Sequence, residues 1–203
     1  MRVLLTHSSA EMYGSDRMAA EAASALVSGG HQVCVVIPWD GPLGAKMRSV
    51  GAEVCPVDVP VLRKANLRPR GFARLVGELV RTAPMMWQVI RQQRPNVVYV
   101  NTVTQPWWLA LARLRNVPAV THVREAEPNL PRPVATALLL PLLLSEKIIC
   151  NSRSTRKEIE KALPMTGRRS EVIYNGKDWS GYELDTGDGA EVAGRDDFTI
   201  LVV

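Results

Sequence analysis

An imidazole and a guanidinium stand two residues apart in the segment His122-Val123-Arg124, which closes a short apolar run. Side chains alternate along a strand, so His122 and Arg124 would share one of its faces. Together they suit an anionic ligand or a negative charge that develops during a reaction, and His122 can also carry a proton. The alternative is a surface ion pair of Arg124 with Glu125 or Glu127, beside a histidine that only makes hydrogen bonds.

Polar residues also follow the other apolar runs that the sequence predicts as strands. In an open α/β sheet the carboxyl ends of parallel strands lie along one edge, where ligands bind. Polar residues are common at strand ends, so one such group alone indicates little, but five in register indicate a site. The members of this predicted edge are Thr6-His7-Ser8, Asn101-Thr102, His122 with Arg124 and Glu125, Asn151-Ser152 and Asn175-Gly176.

The first residues of the chain have the pattern of a strand, a loop and a helix. Val3 to Leu5 is an apolar run without alternation, typical of a strand buried on both faces. Apolar residues recur at helical spacing from Met18 to Leu26. Between them, Gly14 would let backbone N–H groups approach a phosphate at the helix N-terminus. The alternative is an ordinary helix start, with Ser15 as N-cap and Asp16 in the first turn.

Strand-like and helix-like segments alternate along most of the chain. This alternation predicts a doubly wound α/β domain with a mostly parallel, Rossmann-like sheet. Within it we expect two helices at 72–81 and 84–92, the second beginning at a proline. A single, largely apolar helix is expected at 131–144.

The composition changes near the end of the sequence. Residues 179–197 contain several glycines and acidic side chains with few apolar anchors, which is typical of a linker. The apolar run 198–203 then predicts the first strand of a second domain. We therefore expect residues 1–178 to form an N-terminal domain, and the rest of the second domain to lie beyond Val203.

The composition as a whole is that of a globular protein, with 46% hydrophobic and 22% charged residues and a formal net charge of +5. The positive charge favours anionic partners, but no surface that interleaves basic and aromatic residues is visible, so nucleic acid is not expected. The N-terminus has no secretory pattern, and the longest apolar stretch, 134–144, is too short to span a bilayer. We expect a cytoplasmic protein.

Several motifs of known enzyme sites are absent from the sequence, namely G-x-G-x-x-G, G-x-x-x-x-G-K-[ST], H-E-x-x-H, C-x-x-C and G-x-S-x-G. The three cysteines, Cys34, Cys55 and Cys150, lie far apart in apolar runs. Their number and spacing argue against a disulfide framework or a zinc site and fit a reducing compartment. We therefore expect neither a metal ion nor a cofactor.

A basic, amphipathic arm lies between Arg63 and Arg94. Such an arm can rest on an acidic membrane surface, which predicts peripheral contact with the inner face of a membrane. The alternative is a solvated helix pair that covers the sheet.

Four segments together resemble the N-terminal, acceptor-side half of a family 4 glycosyltransferase, an enzyme with the GT-B fold of two facing Rossmann-like domains. The segments occur in the family's order over nearly the whole chain. They are Tyr13-Gly14-Ser15-Asp16-Arg17, Val120-Thr121-His122-Val123-Arg124-Glu125, Ile148-Ile149-Cys150-Asn151-Ser152 and Val172-Ile173-Tyr174-Asn175-Gly176-Lys177-Asp178.

The resemblance implies a retaining, metal-independent transferase that moves a sugar from a nucleotide-diphosphate donor to an acceptor hydroxyl. The expected product is a cell-surface polysaccharide or a glycolipid, so the acceptor is a glycan or is linked to a lipid. In this family the N-terminal domain mainly holds the acceptor, and the C-terminal domain holds most of the donor nucleotide. The chain as given is therefore expected to be inactive alone.

The resemblance also implies roles for individual residues. Gly14, with Ser15 beside it, matches a loop glycine near the donor phosphates, and Arg124 would help stabilise the leaving diphosphate. The family's functional histidine corresponds to His122 or to the position of Arg124; His122 would hydrogen-bond the donor sugar, and Glu125 would orient the acceptor hydroxyl. The expected acceptor-binding residues are His7, Asn101, Thr102, Asn151 and Asn175.

Two other classes of function remain as alternatives. The first is a non-catalytic α/β module that binds an anionic sugar or a phosphate. The second is a nucleotide-sugar epimerase of the dinucleotide-binding kind, against which the missing glycine fingerprint argues.

Overall fold

The computed structural model describes residues 1–124 and 130–176. Glu125, the predicted linker at 179–197 and the predicted strand at 198–203 lie outside the described residues. The expectations for them, and for the domain boundary at residue 178, stay predictions.

Seven strands form one parallel sheet in the order β3-β2-β1-β4-β5-β6-β7. The order reverses between β1 and β4, which confirms the predicted doubly wound, Rossmann-like α/β class. The strands are β1 (Arg2–Thr6), β2 (Gln32–Ile37), β3 (Glu53–Pro56), β4 (Val97–Val100), β5 (Ala119–Val123), β6 (Lys147–Cys150) and β7 (Ser170–Val172).

Helices cover the two faces of this sheet unequally. On one face, the buried side chains of the first two helices pack against β1 and β2 in a cluster that includes Leu5 and Val35. The other four described helices contribute to clusters on the opposite face, around Val98 and Ile148. The helices are α1 (Gly14–Ser28), α2 (Pro42–Ser49), α3 (Pro69–Gln93), α4 (Trp107–Leu114), α5 (Arg132–Leu139) and α6 (Arg153–Ala162).

The helix α3 is continuous across Pro84, so the predicted pair of helices at 72–81 and 84–92 is wrong. Pro84 removes one backbone donor, which normally weakens a helix. However, Met86 and Ile90 after the proline are buried in the cluster against the sheet, and Leu79 before it packs on the same cluster. Burial of one apolar face along both halves of α3 therefore outweighs the local cost of Pro84.

The predicted helix at 131–144 is divided in the structure. Helix α5 ends at Leu139, and a 3₁₀-helix, Leu140–Leu144, follows it. Pro141 explains the change, because it has no N–H to continue the α-helical ladder. Within the described residues, the other predicted helices and strands occur, with ends shifted by a few residues.

Within the described residues, no helix is both long enough and apolar enough to cross a bilayer.

Candidate active site

The sheet register brings the predicted polar strand ends together. Leu5 pairs with Tyr99, and Tyr99 pairs with Val120. Two residues further along each strand, on the same face, come His7, Asn101 and His122. The three strands β1, β4 and β5 therefore place these side chains in one row at the carboxyl edge.

A chain of hydrogen bonds runs along this edge from a cation to an anion. Arg124 Nε donates to Asn101 Oδ1 at 2.9 Å, and Asn101 Nδ2 lies 3.0 Å from His7 Nδ1. His7 Nε2 lies 2.7 Å from Asp16 Oδ1. Since Arg124 can only donate, each next group must accept on one side and donate on the other. The partners thus assign His7 as the neutral imidazole with its proton on Nε2.

Asp16 ends this hydrogen-bonded chain as a fully buried carboxylate in the first turn of α1. Its other contacts come from the backbone N–H of Tyr13 at 2.9 Å and the hydroxyl groups of Ser9 and Ser15 at 3.2 and 3.3 Å. Burial alone would raise the pKa of Asp16, but the hydrogen bonds from His7, from the Tyr13 backbone and from Ser9 lower it overall. The carboxylate is therefore ionised at neutral pH.

His122 is held on one side and has no partner on the other. Its Nδ1 accepts from the Tyr99 hydroxyl at 2.6 Å and lies 3.2 Å from Arg124 Nη2. The proton of a neutral ring is therefore on Nε2, which is buried and has no hydrogen-bond partner among the described residues. Burial and the positive charge of Arg124 lower the pKa of His122 to about 4. At neutral pH it presents an unpaired N–H donor.

Arg124 also has N–H groups that its described partners do not use. Its Nη1 donates to Asn175 Oδ1 at 2.7 Å, in addition to its contacts with Asn101 and His122. A guanidinium has five N–H groups, so about two remain without a partner among the described residues. Burial lowers the pKa of Arg124, but an arginine stays charged at neutral pH.

The remaining predicted site residues lie around this chain of hydrogen bonds. Asn151 Nδ2 donates to the Arg124 carbonyl at 3.0 Å and so supports its backbone. The hydroxyl of Thr102 contacts Thr104 at 2.8 Å, within its own loop, and is not joined to Arg124. Gly14 and Ser15 are exposed at the start of α1.

Helix α1 begins at Gly14 with Tyr13 as its N-cap, so the alternative that placed Ser15 at the N-cap is wrong. A Cβ at Gly14 would meet no atom within 4 Å, which leaves the space before the helix open.

Two residues of the site were not predicted as part of it. Asp16 was expected only as an ordinary first-turn acid, and Tyr99 was not singled out. The signal for Tyr99 was its position on the face shared with Asn101, two residues before that strand end. The signal for Asp16 was weak, because its contact with His7 depends on how the loop between β1 and α1 folds.

An apolar cavity of about 410 Å³ lies beyond the end of β4, between residues 62–65 and the helices α5 and α6. Thr104, shortly after the end of β4, is one of its walls, and its exposed cationic walls are Arg63, Lys64, Arg132 and Lys161. Its larger apolar walls are Leu62, Val103, Leu130, Leu138, Leu139 and Ile159.

Solved structures with the same fold include glycosyltransferases of low sequence identity. HepE from Anabaena, in complex with UDP and glucose, is 17% identical with a TM-score of 0.67, over 88% of this chain and 45% of that one. A glycosyltransferase from Rickettsia africae is 15% identical with a TM-score of 0.63, over 86% and 43%. MurG from Acinetobacter baumannii is 14% identical with a TM-score of 0.53, over 76% and 42%. The chain thus spans less than half the length of these proteins.

No curated protein matches the sequence significantly. The model of the family described as Glycosyltransferase Family 4 matches residues 12–179, which is most of the chain. The fold, the order of the strands and this match confirm the predicted N-terminal, Rossmann-like half of a GT-B glycosyltransferase: the chain belongs to glycosyltransferase family 4.

Proposed function

We propose that this chain serves a retaining transfer of a sugar from a nucleotide-diphosphate donor to an acceptor hydroxyl. The observation that carries the proposal is the buried, unpartnered donor His122 Nε2 at the carboxyl edge, beside the half-buried guanidinium of Arg124. Buried donors without partners are rare in folded proteins and call for a ligand that accepts hydrogen bonds. Phosphate and sugar oxygens are such acceptors.

In this proposal Arg124 binds the diphosphate of the donor, on which negative charge grows as the glycosidic bond breaks. A guanidinium held by three hydrogen bonds is preorganised for this task, which makes its charge effective in the transition state. The neutral ring of His122 donates from Nε2 to a hydroxyl of the transferred sugar. Because the cation is already in place, the proposed mechanism needs no metal ion.

The N-terminus of α1 is a second, weaker place for a phosphate. The backbone N–H groups of Gly14 and Ser15 and the open space beside Gly14 favour an anion there. The carboxylate of Asp16 already occupies part of the positive end of the helix. We therefore assign Gly14 and Ser15 a contributing role and place the main anionic contact at Arg124.

Of the residues expected to bind the acceptor, some orient Arg124 and others are placed to contact the acceptor. His7 and Asn101 use their polar atoms within the hydrogen-bonded chain and are almost fully buried, so we propose that they orient Arg124. Asn175 is exposed and can meet an acceptor while it holds Arg124. Glu125 keeps its proposed role in orienting the acceptor hydroxyl.

The apolar cavity favours a lipid-linked acceptor over a free glycan. Its aliphatic walls suit a hydrocarbon chain. Its exposed walls Arg63 and Arg132 suit the phosphate that joins such a chain to a sugar. A glycolipid precursor fits both features.

Helix α3 carries an exposed apolar stripe that would bring the protein to the membrane holding such an acceptor. Phe72, Val76, Val80 and Trp87 lie along one side of the helix and are 60%, 41%, 68% and 39% exposed. Arg91 lies next to the stripe on the helical wheel, and Arg70, Arg81 and Arg74 lie about 80–120° from Val80, farther round the exposed face of the helix. Such a helix binds at an acidic interface, so we propose peripheral contact with the cytoplasmic face of a membrane.

The test of catalysis is transfer from a panel of nucleoside-diphosphate sugars, by the chain and by its gene product extended past Val203 where the gene continues. Arg124→Ala should lower kcat by about 10²–10³-fold, and His122→Ala by about 10–150-fold. Arg113→Ala, at an exposed arginine near the end of α4, is the matched control and should leave kcat unchanged. Wild-type turnover in both site variants would refute the proposal.

The test of membrane contact is sedimentation with vesicles. The wild-type protein should bind vesicles that contain phosphatidylserine, and binding should fall as salt is raised. Val80→Asp should weaken this binding strongly, because it places a charge in the exposed stripe, whereas Leu114→Asp, at an exposed apolar residue of α4, is the control. Equal binding to neutral and acidic vesicles would refute the electrostatic part of the proposal.

A further inference from the structure

Three side chains that can bind a metal ion meet on β2 and β3, away from the candidate active site. Cys34 Sγ lies 3.0 Å from Cys55 Sγ, and Cys55 Sγ lies 3.9 Å from an oxygen of Glu53. The ligand atoms of all three residues lie within 4.8 Å of one another. The 21 residues that separate the two cysteines in sequence conceal this proximity.

The positions of the two cysteines are compatible with a shared metal ion. Cys34 pairs directly with Glu53, so Cys55, two residues further along β3, is its diagonal neighbour. The two Sγ atoms lie 3.0 Å apart, beyond the ~2.05 Å of a disulfide bond, and both cysteines are free thiols in the structure. A tetrahedral zinc with Zn–S bonds of about 2.3 Å holds two sulfurs about 3.8 Å apart, which asks only for a small rotation of the half-buried Cys55.

The residues around the two cysteines close one side of the pair and include a candidate fourth ligand. Cys34 is 5% exposed and packs in the apolar cluster beneath α3, so the inner side of the pair is closed to water. The amide Nε2 of Gln93, at the end of α3, donates to Glu53 Oε1 at 3.1 Å and lies 3.8 Å from Cys55 Sγ.

We propose that Cys34, Cys55 and Glu53 form a binding site for Zn²⁺ or a similar thiophilic divalent cation. Water or the Gln93 amide oxygen, after a flip of the amide, supplies the fourth ligand. The site is structural: it ties the edge strand β3 to β2 and to the end of α3. It is independent of the transferase chemistry, which lies at β1, β4 and β5.

The experiment is titration of the reduced, tag-free protein with Co²⁺ alone, followed by displacement with Zn²⁺. We expect one equivalent of Co²⁺ to give a sulfur-to-cobalt charge-transfer band and tetrahedral visible bands, which Zn²⁺ removes. Cys55→Ser should abolish the charge-transfer band or reduce it to one thiolate, and Glu53→Gln should weaken binding at least tenfold. Cys150→Ser, at a buried cysteine of β6, is the control and should leave the spectrum unchanged.

Thermal unfolding keeps the proposal testable if a variant folds poorly. Zn²⁺ should raise the Tm of the wild-type protein and of Cys150→Ser but not of Cys55→Ser. A spectrum without thiolate bands, or one that Cys55→Ser leaves intact, would overturn the proposal. So would mass spectrometry that finds a Cys34–Cys55 disulfide in the purified protein together with no uptake of Co²⁺ after reduction.

Discussion

Asp16→Asn is the substitution that tests the hydrogen-bonded chain most directly. The asparagine keeps the shape of the side chain but has one N–H₂ group where Asp16 has a second oxygen. That group faces either the N–H of His7 or the backbone N–H of Tyr13, since the two carboxylate oxygens accept from these two donors. His7 cannot escape by changing tautomer, because Asn101 and Arg124 fix the direction of the hydrogen bonds. One buried donor is therefore left without an acceptor.

The size of the destabilisation follows from this one buried donor without an acceptor. A buried, unsatisfied donor costs about 1–3 kcal/mol, and loss of the charge weakens the remaining hydrogen bonds by about 1 kcal/mol. Together these give a loss of about 2–4 kcal/mol in the free energy of unfolding. For a domain of this size, 1 kcal/mol corresponds to about 2–4 °C, so Tm should fall by roughly 4–16 °C.

Urea and thermal unfolding, followed by circular dichroism, measure this loss. Asp40→Asn is the control, because Asp40 pairs with Arg48 at the surface and should contribute much less. The folded state lowers the pKa of Asp16, so its contribution is present above the unfolded pKa of about 4 and is lost as pH falls further. The difference in the free energy of unfolding between wild type and Asp16→Asn should therefore become smaller in acid. Equal stability of the two proteins at pH 7 would refute the assigned hydrogen-bond directions.

Three further predictions concern stability. His122 is neutral when folded, with its pKa lowered to about 4, so wild-type stability should fall as pH drops from about 6.5 toward 4; His122→Gln should flatten that slope in urea titrations. Pro84→Ala should raise the free energy of unfolding by about 1–2 kcal/mol, because it restores a backbone donor within α3; an unchanged urea midpoint would contradict this. Gly41→Ala should destabilise by about 1–3 kcal/mol, since its Cβ would lie 2.5 Å from the Ala10 carbonyl oxygen, whereas Gly14→Ala should leave Tm nearly unchanged.

The fold was predictable because its strongest signals are local. Apolar runs such as 3–5 and 97–100 lack alternation, and the segments between them have helical periodicity, which together specify a parallel α/β sheet. The error at Pro84 shows where local signals fail. A proline predicts a helix boundary from its own chemistry, but the burial of Met86 and Ile90 against the sheet is a tertiary effect that the local rule does not include.

The candidate site was predictable only in its location. That polar residues follow the strands can be read from the sequence, and the parallel sheet places them at one edge. Which groups touch depends on the register of strands far apart in the chain: His7 and Asn101 are separated by 94 residues, and Arg124 and Asn175 by 51. The proximity of Cys34 and Cys55 could not be predicted for the same reason, since it depends on the pairing of β2 with β3.

The direction of the hydrogen bonds at the carboxyl edge determines which ligand can bind there. Arg124 can only donate, and Asp16, when ionised, can only accept, so these two groups orient every hydrogen between them. Tyr99 and Arg124 both direct hydrogens at His122 Nδ1, which leaves Nε2 as a donor. The groups left free on His122 and Arg124 are therefore all donors, and one of the two side chains carries a positive charge. We therefore expect this edge to disfavour a cation and to suit the proposed ligand, a sugar diphosphate rich in acceptor oxygens.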